Sequence, residues 1–215
     1  SLYILEKFTT PFKIAKMTDH HYETLRKLPM GKFSYPKFSK LKELAKSTVG
    51  IYQEFHIVSL SIYLHNIRLL NTQVGSIENQ IKHLMASYPT KIETITGIGT
   101  ISAAVILAEY GSISNFDNPS QMLSYAGLEP SVNQSGTQTF NGRLVKRGSR
   151  ILRSTLVQAS FYMLKVNPKF YAYYLKKKSE GKHHQVALIH LTRKLIRIIF
   201  HLETTQQDFN PKLIK

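Results

Sequence analysis

Apolar residues are spaced along most of the chain at helical intervals. Between Ile51 and Ser87, Leu60, Tyr63, Ile67, Leu70, Val74, Ile77, Ile81 and Leu84 recur at alternating steps of three and four. That is the 3.5-residue repeat of a coiled-coil seam, held for somewhat over three heptads. It predicts a long helix, closed by Pro89 and weakened by Gly75 at a cost of about 1 kcal/mol. Such a seam serves either a second copy of the chain or the inside of its own fold. Three further helices fit 149–166, 168–178 and 183–202. Asn167 and Pro168 suit a helix start, and Gly181 suits a stop. Residues 1–48 are punctuated by Pro11, Pro29, Gly31 and Pro36. They read as an irregular arm in which only Asp19 to Lys27 could hold a helix. The one period-two stretch, Thr137 to Leu144, fits a hairpin turning at Asn141-Gly142. The expected class is therefore mainly α. A long coiled-coil-like helix (49–89) precedes a compact helical domain (90–205) and a tail (206–215).

The segment Ile92 to Glu109 carries the sharpest local signal. A short helix is expected to end at Gly97-Ile98-Gly99, where a second begins at once. Two glycines allow a tight turn and a close backbone approach to another molecule. Free N–H groups at the start of the second helix suit a phosphate. Ile98 would fill the space between the helices, and Ala103, Ala104 and Ala108 would keep them close. A helix-hairpin-helix gripping a nucleic-acid backbone through Gly97, Ile98, Gly99 and Thr100 is the functional reading. A plain helix corner is the alternative.

Charge strengthens the functional reading. The 215 residues hold 29 Lys and Arg against 13 Asp and Glu, a net of +16. Such a surplus attracts phosphate backbones or anionic membranes. It is concentrated: between Pro130 and Ser179 there are ten basic residues and no carboxylate. Arg143, Lys146, Arg147, Arg150 and Arg153 fall within eleven positions. Arg150 and Arg153 share a helix face. The glycine corner and this stretch are expected to converge on one sugar-phosphate track; a solvated charged face is the alternative. The absence of cysteine excludes disulfides and thiolate metal sites. No apolar run approaches the ~18 residues of a membrane span, so no membrane partner is expected and the cytoplasm is the expected compartment. His20-His21 and His183-His184 point to different faces of a helix and make poor metal ligands. Ser135, taken alone, is one loop serine among several. The chain opens at Ser1 rather than Met, as expected of a fragment.

The ordered set Thr96-Gly97-Ile98-Gly99, Ala108-Glu109-Tyr110-Gly111, Phe116, Tyr125-Ala126-Gly127-Leu128-Glu129-Pro130, Gln134-Ser135-Gly136, Lys146-Arg147-Gly148-Ser149-Arg150 and Leu152-Arg153 resembles the C-terminal transposase domain of insertion-sequence family 110. Its 1111 subgroup and the related pilin-gene invertases share the pattern, and the likeness covers roughly residues 50–205. The resemblance implies a DNA transposase or recombinase in which Ser135 is the catalytic nucleophile. Its implied partners are DNA, in some members a structured bridge RNA, and further copies of the chain, as a dimer or tetramer. It also implies an RNase H-like domain with a Mg²⁺-binding acidic cluster, which these residues lack. Where the family has the last acidic pair of that cluster, this chain has Lys16-Met17-Thr18-Asp19-His20-His21-Tyr22, with Tyr22 in place of the second acid. No cofactor is therefore expected in this chain by itself. Two other readings stand beside the recombinase: a non-catalytic DNA-binding and dimerising module, and an RNA-binding protein stacking bases on its tyrosines.

Overall fold

A computed structural model describes residues 2–28, 33–50, 53–135 and 138–211, with side chains for all of these except 131–143. The fold is mainly α, and the chain forms two compact units, residues 1–76 and 77–215.

The described residues of 1–48 are largely helical where an irregular arm is expected. They form α1 (Leu2–Lys7), α2 (Pro11–Ala15), α3 (Asp19–Lys27) and α4 (Tyr35–Lys46). The prolines account for the difference: Pro11 and Pro36 lie in the first turns of α2 and α4, where a missing N–H costs nothing. Thr10 caps α2 by accepting a hydrogen bond from Lys13 N at 3.3 Å. Met17, Leu25 and Phe38 are the buried centre of a small core, edged by Tyr3, Phe8, Tyr22 and Phe33.

Helix α5 (Glu54–Ala86) is the long helix that the periodicity predicts. Among its residues only Leu64 is buried. The seam is open to solvent: Leu70 is 58% exposed, Ile77 55% and Leu84 67%.

The second unit is built on α6 (Thr100–Tyr110), α7 (Pro119–Tyr125), α8 (Arg150–Val166), α9 (Pro168–Ser179) and α10 (His184–Thr205). Ser149, Asn167 and His183 cap α8, α9 and α10 with their side chains. Leu188, Leu191, Leu195, Ile196, Ile199 and Leu202 form one buried stripe of α10, facing Leu152, Leu156 and Met163 of α8 and Phe170 of α9. Each such side chain stabilises the fold by about 1.5–3 kcal/mol on burial. Buried Ser160 and Thr192 donate to the carbonyls of Leu156 and Leu188, so neither hydroxyl is orphaned.

The start of this unit is fastened by its end. Glu203 Oε1 accepts from Thr90 Oγ1 and Lys91 N, both at 2.7 Å, and from Ile92 N at 3.2 Å. The residues after α10 fold back: Asp208 pairs with Lys91 at 2.8 Å, and Phe209 stacks on Phe170.

A hairpin is present, but its turn is not at Asn141-Gly142. Strands β1 (Pro130–Ser135) and β2 (Gln138–Leu144) pair antiparallel, with Asn141 opposite Val132 and Gln138 opposite Ser135. The register shifts between Val132 and Pro130, where β2 contributes the extra residue around Gly142. The Asn-Gly pair therefore marks a bulge, the other place where a strand accepts glycine. The expected Ser135-Gly136 loop falls partly on residues 136–137, outside the described residues.

Candidate nucleic-acid interface

The glycine corner forms, though not between two α-helices. In place of the short helix expected before it there is a single 3-10 turn, Ile92–Thr94. Ile95 and Ile98 are buried, the latter at 6% exposure, as the plug between helices requires. Gly97 adopts a φ of 105°, and a Cβ there would lie 3.1 Å from Met163 Cγ and 3.4 Å from Val166 Cγ2. The close approach is thus used inside the protein, against the C-terminal end of α8. Gly99 is exposed like Gly97 but has nothing near its missing Cβ. It stands at the N-cap of α6, its carbonyl accepting from Ala103 N at 2.9 Å. Half-buried Thr100 follows, and the N–H groups of this first turn lack partners within the helix.

A second glycine contact fixes the other end of α8. Backbone runs against backbone where Tyr125–Gly127 meets Arg147–Gly148. A Cβ on Gly127 would lie 2.0 Å from Arg147 O, and one on Gly148 2.0 Å from Tyr125 O. Arg153 closes this joint, its Nη1 donating to Ala126 O at 3.2 Å and Lys146 O at 3.3 Å. One of the five expected phosphate ligands therefore spends its guanidinium on internal carbonyls. Beneath the joint Tyr110, Phe116 and Tyr125 pack ring against ring at 5.5–5.8 Å. Tyr110 donates to Met122 O at 3.1 Å. Burial, reinforced by Tyr125, pushes the Tyr110 hydroxyl far above the usual phenol range, so it acts as a structural donor and stays neutral.

The corner and the arginine stretch do not meet at one point. Gly97 packs on Met163 and Val166, whereas Arg147 and Arg150 sit at the start of the same helix. At 1.5 Å per residue the two regions are about 20 Å apart along α8. What connects them is the outward face of α8, on which Arg150, Ser154, Gln158, Phe161, Tyr162 and Lys165 are all exposed. Lys165 Nζ lies 4.8 Å from the Phe161 ring centre and 5.6 Å from that of Tyr162. Lys146 (φ 53°) and Arg147 are exposed just before the helix begins. This face carries no carboxylate. Phe161, Tyr162 and Lys165 belong to none of the motifs, although steps of three and four from Arg150 through Ser154 and Gln158 lead to them in the sequence. Arg143 lies in β2 and Ser135 ends β1; the side chains of both fall outside the described ones.

Asp19, the one candidate left for a metal cluster, accepts a hydrogen bond from Tyr35 Oη at 3.1 Å. That bond raises the Tyr35 pKa. Tyr22, in place of a second acid, packs on Tyr35 and Phe38. Among the described residues no three His, Asp or Glu side chains gather in one place, so these residues do not fit the acidic Mg²⁺ cluster. His21 is occupied otherwise, its Nδ1 accepting from Thr18 N at 2.9 Å. No described helix is long and apolar enough to cross a membrane.

Residues 90–175, which hold the corner, the joint and α8, match the model of the Transposase IS116/IS110/IS902 family. The insertion element IS116 44.8 kDa protein of Streptomyces clavuligerus is 31% identical over 150 residues, covering 68% of this chain and 37% of that protein. The transposase of insertion sequence element IS1111A from Coxiella burnetii is 26% identical over 175 residues, 77% of this chain and 47% of that protein. The pilin gene-inverting protein of Moraxella bovis is 25% identical over 173 residues, covering 72% and 52%. The matched stretch thus spans about half or less of each relative's own length.

The joint supplies a test of structural against surface roles. Gly127→Ala is expected to cost about 2 kcal/mol or more, because Arg147 O occupies the space of the new methyl. Arg153→Ala should cost about 1–2 kcal/mol through two lost hydrogen bonds. Arg150→Ala, exposed, should stay within about 0.5 kcal/mol. Urea unfolding of the three variants checks this order, and equal stability of all three would contradict the joint.

Proposed function

We propose that this chain, whose residues 90–175 belong to the transposase IS116/IS110/IS902 family, is the DNA-holding part of a transposase or recombinase that cuts and rejoins strands. The observation that carries the proposal is the exposed, carboxylate-free face of α8, with Arg147 and Arg150 at one end and Lys165 at the other. A duplex laid along this face would be touched at points about 20 Å apart, roughly six base pairs at 3.4 Å each. Lys146, Arg147, Arg150 and Arg143 hold phosphates at one end. At the other, the 3-10 turn, corner and α6 act as a helix-hairpin-helix, with the N–H groups after Gly99 turned to the backbone. Such contacts position DNA without reading its sequence. In some family members a bridge RNA is a further partner, and the same surface can serve it. With DNA as its substrate, the proposed compartment is the cytoplasm.

Ser135 is the proposed nucleophile. Its Oγ forms a bond to the scissile phosphorus as the P–O bond to the leaving sugar oxygen breaks. The serine proton passes to a base that the described residues do not supply. By the strand register Arg143 and the arginines before α8 lie at the far end of the hairpin from Ser135, roughly 13 Å or more away. They therefore hold neighbouring phosphates, and the charge on the attacked phosphate is stabilised by groups from the second domain or a second copy. Cleavage therefore needs a second domain. The misfit at Asp19 favours, as the second reading, a DNA-binding and dimerising module that does no chemistry by itself. The open seam of α5 supports self-association in either case: its exposed Leu70, Val74, Ile77 and Leu84 follow the repeat that a partner helix would cover.

Three outcomes are expected. Duplex binding should weaken about tenfold or more in Arg147→Glu with Arg150→Glu, and the slope of log affinity against log salt should fall by about one per lost contact. Anisotropy titrations between 50 and 200 mM salt check this, and a flat salt response in the unaltered chain would overturn the DNA reading. Ser135→Ala should abolish cleavage and rejoining, assayed with the metal-binding domain supplied, while duplex affinity stays within about twofold; retained activity would leave the non-catalytic module. Leu70→Asp with Ile77→Asp should convert a dimer or tetramer to a monomer in sedimentation velocity, and an unaltered chain that is already monomeric would refute the seam's role.

A further inference from the structure

Helix α10 has a second face that the DNA track does not use. Opposite its buried stripe stand His190, Arg193, Lys194, Arg197 and His201, at helical spacing. Between this face, Tyr173 of α9 and the returning chain after α10 lies a cavity of about 630 Å³, within the ~300–1,000 Å³ of sites that take small organic groups. Ile198, Leu202 and Phe209 give it an apolar floor, and Arg193 and Arg197 contribute guanidinium groups. Among the described residues the one carboxylate lining it is Asp208, already paired with Lys91 at 2.8 Å. Lys194 Nζ sits 4.4 Å from the Tyr173 ring centre.

One atom in this wall is unsatisfied. Arg193 Nε is shielded from solvent and has no hydrogen-bond partner among the described residues. A buried donor without an acceptor is costly, and because the Arg193 side chain lines this cavity, an acceptor entering it is a candidate partner for the guanidinium. The surrounding field asks for the same thing. Burial first, then Lys177, Arg193 and Lys182, lowers the His190 pKa despite Glu180. Burial first, then Lys169 and Lys176, lowers that of Lys194. An anion in the cavity would oppose the part of each shift that the neighbouring cations cause.

We propose that the α9–α10 cavity binds an unpaired nucleotide of a nucleic-acid strand, its phosphate on Arg193 and Arg197 and its base over Leu202 and Phe209. A free phosphate would leave the apolar floor unused, and a paired base is hidden within its duplex, whereas an unpaired base offers a flat apolar face to stack. The proposal rests on the chain being a nucleic-acid-handling protein, but it concerns single strands, and its site shares no residue with the α8 face.

The test is an anisotropy titration of the whole chain with four labelled probes: oligothymidylate, oligouridylate, an oligothymidylate interrupted by abasic positions, and a fully paired duplex. Arg197→Glu, at an exposed position, and Arg193→Met, which keeps the apolar stem, should each weaken both intact single strands about tenfold and the duplex less than twofold. The abasic strand should bind the unaltered chain about tenfold more weakly than the intact one. Tighter thymidylate binding would assign a DNA strand as the ligand, and tighter uridylate binding an RNA strand. Equal losses on all probes, no loss on single strands, or undiminished abasic binding would each overturn the site. Failure of the duplex reading appears separately, as a duplex affinity insensitive to Arg147→Glu with Arg150→Glu.

Discussion

Helix α8 is held at both ends by close glycine contacts. At its C-terminal end Gly97 lies against Met163 and Val166, and ahead of its N-terminus Gly127 and Gly148 bring two backbone segments together. Everything proposed for the surface depends on this grip. The long basic helix stays in place because glycines let the chain pass close by, and its charges are left facing outward because the interior is filled by Leu152, Leu156 and Met163.

That arrangement separates two kinds of cation that look alike in the sequence. Arg150 and Arg153 are three residues apart on one helix, yet Arg150 is exposed while Arg153 bridges Ala126 O and Lys146 O. One nitrogen, Nη1, makes both bonds, its N–H groups reaching the two segments at once. The same economy of roles applies to the tyrosines. Tyr110 is buried beneath the joint, with Tyr125 packed on it, while Tyr162 faces solvent beside Lys165.

Family membership bears on the shared residues 90–175 and says less about the first unit. There the chain forms four short helices around Met17, Leu25 and Phe38, and Asp19 binds Tyr35 instead of joining other acids. The strand chemistry proposed for the family's serine must therefore draw its base and its metal from elsewhere. The chain's proposed contribution is to hold and orient nucleic acid. It presents two basic faces on one helical core, one along α8 and one on α10.

Much of this was legible in the residues alone. Helical spacing placed α5 and α8 to α10 to within a few residues, because periodicity and caps such as Asn167 and His183 are local signals. The motif order identified the domain, and the run without carboxylates from Pro130 to Ser179 located the basic surface. Where the sequence misled, one residue type had two uses. Proline begins helices as well as breaking them, so residues 1–48 looked irregular, and Asn141-Gly142 suits a bulge as well as a turn. Tertiary packing alone decided that the glycine corner and the arginines lie about 20 Å apart along α8, that Gly97 serves the interior, and that Arg193 borders a cavity with its Nε unpaired. Those outcomes depend on distances between segments far apart in the chain, which local propensity and charge counting do not encode.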